Sequence, residues 1–336
     1  MISDRLRTSL GREFRANRLA QIGLFLAVTI LLLALFAPFI APHNPSQTGN
    51  FDEHGNSYPP LGVDHQTHQW EEGDDGRERV SYTVEPTREH VLGTNNLGQD
   101  VASRVLYGAR VSLLVGLLGT GLAALFGVPV GLVAGYYGGR VDDGLMRGAD
   151  IMLAFPSLVL AIALIGVFGR GERAIPDPFV AAGFADGMPE HVILPGTVTL
   201  VVALVNWVWF ARVARGEAMA VRSEDYIKAA RSIGASNRRI LLRHVLPNSL
   251  TPIIVLATIQ VAAIILLESA LAYLGFSGTT LSWGYEIQRG QDYLGSAWWI
   301  ATVPGAAIVL AVISINLLGD WLRDSLDPNI GGEGGV

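Results

Sequence analysis

The chain has 336 residues, half of them apolar and only 16% charged, against roughly 25% charged in a soluble domain. That deficit excludes an ordinary soluble protein, and the lack of any cysteine excludes disulfides, thiol catalysis and thiolate metal sites. The net charge of −6 is segregated: Pro42 to Arg104 holds 11 acidic and 4 basic residues, whereas Arg212 to Arg243 holds 8 basic and 3 acidic, an asymmetry of the kind a membrane sorts on.

A spanning helix needs about 20 apolar residues, because lipid offers its backbone no partners. The N-terminal segment, residues 1–21, carries Arg5, Arg7, Arg12, Arg15 and Arg18 and is expected on the cytoplasmic side. Residues 22–41 then form a charge-free run, too long for the 7–15-residue core of a typical cleaved signal, and are expected to be an uncleaved first span. Residues 42–104 form an acidic extracytoplasmic segment punctuated by Pro42, Pro45, Pro59 and Pro60, with a short strand near Val80–Val84. Apolar runs at 105–134, 149–169, 191–211, 250–275 and 298–319 bring the spans to six and define a five-helix core over residues 105–319. The tail, residues 320–336, opens on Asp320, Arg323 and Asp324 at the inner end of the last helix.

With both termini inside, the inner regions hold 16 of the 24 basic residues, as the positive-inside rule requires. Within the second span Gly127, Gly131 and Gly135 recur at four-residue spacing, extended by Gly119 and Ala123, and predict a groove for a close-packed helix. Asn206, Gln260, Glu268 and Asn316 are polar residues at or inside apolar runs. Intramembrane polar groups of this kind are pathway candidates, and Asn206, Gln260 and Glu268 are retained as such.

The loop at 213–247 contains SEDYIKAARSIGASNRRILLRHVLPN, Ser223 to Asn248. It parses as two short helices. Ser223 is placed to cap the first, with Glu224 and Asp225 in its first turn, and Gly234 stops it. Ser236 is placed to cap the second, which should end before Pro247. A basic amphipathic stretch lying on anionic headgroups is the rival reading, but it does not account for the compact helix–Gly–helix–Pro layout.

This stretch resembles the EAA loop of permease subunits in ATP-binding-cassette importers, whose pattern is Glu-Ala-Ala, three residues, Gly, nine residues, Ile-x-Leu-Pro. Ala229, Ala230, Gly234, Leu246 and Pro247 match, while Lys228 and His244 replace the Glu and the Ile, as is familiar in the dipeptide and oligopeptide branch. The blocks LGTNNLGQDVASRVLYGARVSL from Leu92, AGYYGGRVDDGLMRGADIMLAFPSLVLAIAL from Ala134, LESALAYLGF from Leu267, SWG at Ser282–Gly284, AWW at Ala297–Trp299 and NLLGDWLRDSLDP from Asn316 are similar to that branch in order, with Asn95 and Gln99 where Asp and Arg are usual. The chain is thus identified as a C-type permease subunit of the dipeptide/oligopeptide (nickel) importer family.

The resemblance implies an all-α integral membrane protein of the type I importer permease fold, with six spans and cytoplasmic termini. It implies a homologous permease partner, two cytoplasmic ATPase subunits that bind the ATP, an external solute-binding protein and a peptide substrate. Tyr226, Ala229, Ala230, Gly234, Ala235, Ser236, Arg238, Arg243, Leu246 and Pro247 would form the ATPase-coupling surface. A nickel or other small-solute permease is the nearest alternative. An ion-driven secondary transporter is the alternative of another class; it predicts inverted repeats and paired intramembrane acids, and the sequence shows neither.

No P-loop is present: the only lysine, Lys228, lacks the preceding glycines, so no cofactor is expected in this chain. No catalytic constellation is expected, nor a nucleic-acid partner. His54, Asp64, His65 and His68 read as solvated loop residues, so no metal site is expected.

Overall fold

The computed structural model of the protein describes residues 14–15, 17–73, 76–278 and 281–326. Arg5, Arg7 and Arg12, part of the expected Gly278–Leu281 linker, and residues 327–336 of the expected tail lie outside the described residues. Helix α1, Arg18–Leu35, is capped by Asn17, whose Oδ1 accepts from the Ala20 amide at 3.0 Å, and a short α2, Ala37–Ile40, ends the first span. The polar segment then folds around an antiparallel hairpin of β1, His65–Gly73, and β2, Gly76–Val84. The strand expected near Val80–Val84 is the end of β2; its partner β1 carries no apolar alternation that would reveal it.

Helix α3, Val101–Tyr137, spans 37 residues and is the centre of the bundle. It packs against α7, Gly196–Arg222, along the glycine row. A Cβ on Gly127, Gly131 or Gly135 would overlap the carbonyl oxygens of Trp207, Ala211 and Arg215 respectively, so the spacing of four residues serves backbone approach, as expected. Behind the pair lie α10, Leu246–Tyr273, and α12, Trp299–Leu326, which also packs on α1. The short α11, Trp283–Gly290, wedges between α10 and α12 through Gly284 and Gly290, whose added Cβ atoms would meet the backbones of Ser269 and Ala301.

Among the described residues, five helices are long and apolar enough to cross a membrane. The run expected at 149–169 as one span is instead two helices, α4 at Gly139–Leu153 and α5 at Ser157–Phe168, bent by 92°. The cause is Pro156, which takes an extended conformation and cannot donate to a continuing helix. Counting the pair as one span gives six. After α5, strands β3, Arg173–Pro176, and β4, His191–Leu194, pair around α6, Pro178–Ala181. The two hairpins are small additions to a helical membrane architecture.

Two ends are thus distinguished. The segment end carries residues 42–73 and 76–100, α6 and α11; the loop end carries Tyr137, Arg222 and the 223–245 turn. Many large apolar side chains between them face outward, among them Phe25, Leu31, Leu125, Val159 and Val309, as lipid permits and water does not.

Candidate coupling loop and interhelical cavity

Helix α7 ends at Ser223, whose Oγ donates to the Ala220 carbonyl at 2.7 Å and whose backbone is still helical. Ser223 therefore closes α7 and does not cap the next helix, contrary to expectation. Glu224, in extended conformation, precedes α8, Asp225–Ser232, and makes no side-chain cap bond. Asp225 does sit in the first turn, where Lys228 Nζ bonds it at 2.8 Å and holds its carboxyl below the usual range. Gly234 turns the chain with φ +83°, as its position predicts. Ser236 caps α9, Asn237–Ile240, accepting from the Arg239 amide at 3.4 Å.

The second short helix does not end before Pro247. It runs through a π turn, Leu241–Val245, into α10, with Pro247 in the first turn beyond. The wider turn tolerates the proline ring and its missing amide hydrogen, so the loop is continuous with a span.

The loop is fastened to the bundle by its apolar side. Ile227, Ile240 and Val245 are fully buried in one cluster with Tyr136, Ala218 and Val221. Tyr136 donates to Asn237 Oδ1 at 2.8 Å and carries the Arg231 guanidinium over its ring at 5.0 Å. Arg215 makes two hydrogen bonds to Asp142, at 2.5 and 2.7 Å, and Arg212 bonds Asp150 at 2.7 Å, tying α4 to α7 beside the loop.

The ten residues assigned to the coupling surface therefore divide. Tyr226, Ala229, Gly234, Ser236, Arg238, Arg243 and Pro247 face outward, whereas Ala230, Ala235 and Leu246 pack on the bundle cluster. Small size at Ala230 and Ala235 thus serves the fit of the loop on its own bundle. The most prominent outward residue is not among these ten: Ile233, within the 232–236 stretch expected to enter the ATPase, is 87% exposed at the tip. Its signal was an apolar residue beside the Gly234 stop, on neither apolar side.

Asn206 and Gln260 meet at a cavity of about 490 Å³ between α4, α5, α7 and α10, lined also by Phe155, Trp209 and Leu267. Asn206 Nδ2 donates to the Val202 carbonyl at 2.8 Å, leaving its amide oxygen for another partner. Glu268 is not at this cavity. It is fully buried where α3, α10 and α11 meet, with Ser112 and Ser269 hydroxyls 3.4 Å from Oε2 and no partner at Oε1.

Two buried ion pairs, between residues 182 and 67 apart in sequence, were not read from the residues. Arg104 binds Glu286 through Nε and Nη2 at 2.8 and 2.6 Å and reaches the Pro45 carbonyl at 2.7 Å. Arg110 pairs with Asp177, which also caps α6. Both pin the segment end to α3.

This architecture is the permease fold of ATP-binding-cassette importers. It is similar to a chain of the MetNI methionine ABC transporter solved in inward-facing conformations, with TM-score 0.51 at 16% identity, covering 67% of this chain and 97% of that one. Residues 127–332 match the family described as binding-protein-dependent transport system inner membrane component, and residues 9–60 match the N-terminal TM domain of oligopeptide transport permease C. Similar relatives include the dipeptide transport system permease DppC of Alkalihalophilus pseudofirmus, 32% identical over 95% of this chain and 88% of that protein. The di/tripeptide transport system permease DppC of Pseudomonas aeruginosa is 35% identical over 95% and 91%, and the oligopeptide transport system permease OppC of Bacillus subtilis 31% identical over 95% and 88%. The chain belongs to the binding-protein-dependent ABC permeases, in the branch of the dipeptide and oligopeptide permeases. It is an integral membrane subunit.

Proposed function

We propose that this subunit, paired with a homologous permease in the plasma membrane, carries di- or oligopeptides delivered by an external solute-binding protein, and that two cytoplasmic ATPase subunits drive it through the 223–245 turn. The termini and the loop end face the cytoplasm, where the arginines of 212–243 satisfy the charge rule, and the segment end faces outward. ATP is bound by the partner subunits, since this chain carries no P-loop. No covalent chemistry takes place in it.

The observation that carries the reading is the turn itself: an exposed Ile233 beside a left-handed Gly234, on a base locked by Ile227, Ile240 and Val245. An apolar side chain presented to water at a rigid tip fits a pocket on a partner, and its rim of Arg231, Arg238 and Arg243 suits an acidic surround. The cavity at Asn206 and Gln260 lies between α4–α5 and α7–α10, so opening one pair against the other would widen it into a route for the peptide. The absence of native cysteine makes the test clean. Ile233→Cys, labelled with a maleimide carrying a photoreactive group, should cross-link to the ATPase on illumination, and Ile233→Asp should abolish peptide-stimulated ATP hydrolysis while the subunit still inserts. Full coupling in Ile233→Asp would refute the docking role.

A further inference from the structure

At the segment end, three side chains from distant parts of the chain converge away from both the loop and the cavity. His43 follows the first span, His90 closes the polar segment, and Asp100 is the N-cap of α3. Their ligating atoms lie within 4.8 Å of one another. His90 Nδ1 is 3.0 Å from Asp100 Oδ1, and His43 Nδ1 is 4.0 Å from the same oxygen. The two imidazole rings lie 4.6 Å apart, and Tyr58 stacks on the outer face of His90 at 5.9 Å.

Three features set this group apart from a chance cluster. His43 Nδ1 is closed off from solvent and has no hydrogen-bond partner, a costly state for a polar nitrogen unless something binds it. Asp100 is completely buried, and its Oδ2 is committed to the amide and hydroxyl of Ser103, both at 2.7 Å, leaving Oδ1 aimed at the imidazoles. The same Ser103 hydroxyl accepts the His43 backbone amide at 3.0 Å, which fixes the histidine beside the carboxylate. The helix N-terminus offsets part of the Asp100 charge, and among the described residues the side chains recorded against Oδ1 are the two imidazoles.

We propose that His43, His90 and Asp100 hold a divalent first-row transition-metal ion, with zinc(II) as the representative. At bond lengths near 2.0–2.2 Å, tetrahedral ligands lie about 3.4 Å apart; the two nitrogen–oxygen edges here are 3.0 and 4.0 Å and all three atoms fall within 4.8 Å, so binding would draw the His43 ring inward. Two imidazole nitrogens and one carboxylate oxygen suit such an ion, whereas calcium or magnesium would take oxygen ligands throughout. Ser103 orients Asp100 as an outer-shell partner orients a ligand. The fourth position is left for water or an incoming group. The ion would clip the end of the first span and the polar segment to the start of α3. The proposal is independent of how transport is driven and of what is carried.

The test uses the assembled transporter, stripped with a chelator and dialysed against zinc(II) alone. Wild type should retain about one more zinc per chain than His43→Gln, gain thermal stability on zinc addition that His43→Gln does not, and show visible cobalt(II) absorption on substitution. His43 is partly exposed and makes no side-chain hydrogen bond, so that variant keeps the fold; His90→Gln serves as a second removal of one ligand. Equal zinc retention by wild type and His43→Gln would place the metal elsewhere in the assembly and overturn the proposal. Zinc-free, folded wild type would also overturn it, leaving a His90–Asp100 hydrogen bond only.

Discussion

Substituting Gly131 by alanine isolates one contact. In α3 the glycine faces the Ala211 carbonyl so closely that a methyl group has no room, and the obstacle is backbone, which cannot swing away. Gly121, ten residues earlier on the same helix, faces outward with nothing within 4 Å. Alanine at either site gains up to about 1 kcal/mol of helix propensity. At Gly131 it must also force α3 and α7 apart, and overpacking costs about 1–3 kcal/mol. Gly121→Ala should therefore be neutral or stabilising, and Gly131→Ala destabilising relative to it by at least about 1 kcal/mol, a factor of about 5 in the folding equilibrium. Denaturation of the two variants in mixed micelles, followed by helix content and by monodispersity on gel filtration, measures that difference. If Gly131→Ala unfolds together with or after Gly121→Ala, the glycine row is not what brings these helices together.

Arg104→Ala strands a buried Glu286 carboxylate and should cost about 3–5 kcal/mol in thermal or denaturant unfolding, while Arg104→Met combined with Glu286→Met should lose much less. Gly234→Ala has open space but a left-handed backbone, so it should strain the turn by about 1–2 kcal/mol, leave insertion intact and reduce coupled ATP hydrolysis; Gly234→Asn should be milder. Glu268→Gln should leave uptake and its pH profile unchanged, because the carboxyl is sealed between α3, α10 and α11 away from the cavity; a shifted uptake profile would restore a gating role.

The spans were legible because lipid forces about 20 apolar residues into a row, and the α3–α7 groove because glycine spacing records backbone approach along one helix face. Gly234 and Ser236 were legible because each answers a local need, a positive φ and an orphan amide. What escaped depends on the partner element. Ser223 satisfies the cap pattern but is recruited by Ala220 behind it. Pro247 looks like a stop until the preceding turn widens to accept it. Phe155-Pro156 sits inside an apolar run; the proline marks a break but does not by itself fix a 92° bend. The pairs Arg104–Glu286 and Arg110–Asp177, and the meeting of His43, His90 and Asp100, join residues that share no local pattern at all.

The passage of the 223–245 turn into α10 without a break has a mechanical consequence. From Asn237 to Tyr273 the chain is one helical stretch of 37 residues, about 55 Å long at 1.5 Å per residue. Beyond Pro252 no proline interrupts it, and this part, Ile253 to Tyr273, is about 32 Å long and acts as a lever: a tilt of about 5° at its start carries the Tyr273 end through about 3 Å. The far arm holds Gln260 at the cavity and Ser269 under α11, so one small rotation at its start reaches both. The pair α4–α5, broken at Pro156, has no such stiffness and would yield where α10 pushes.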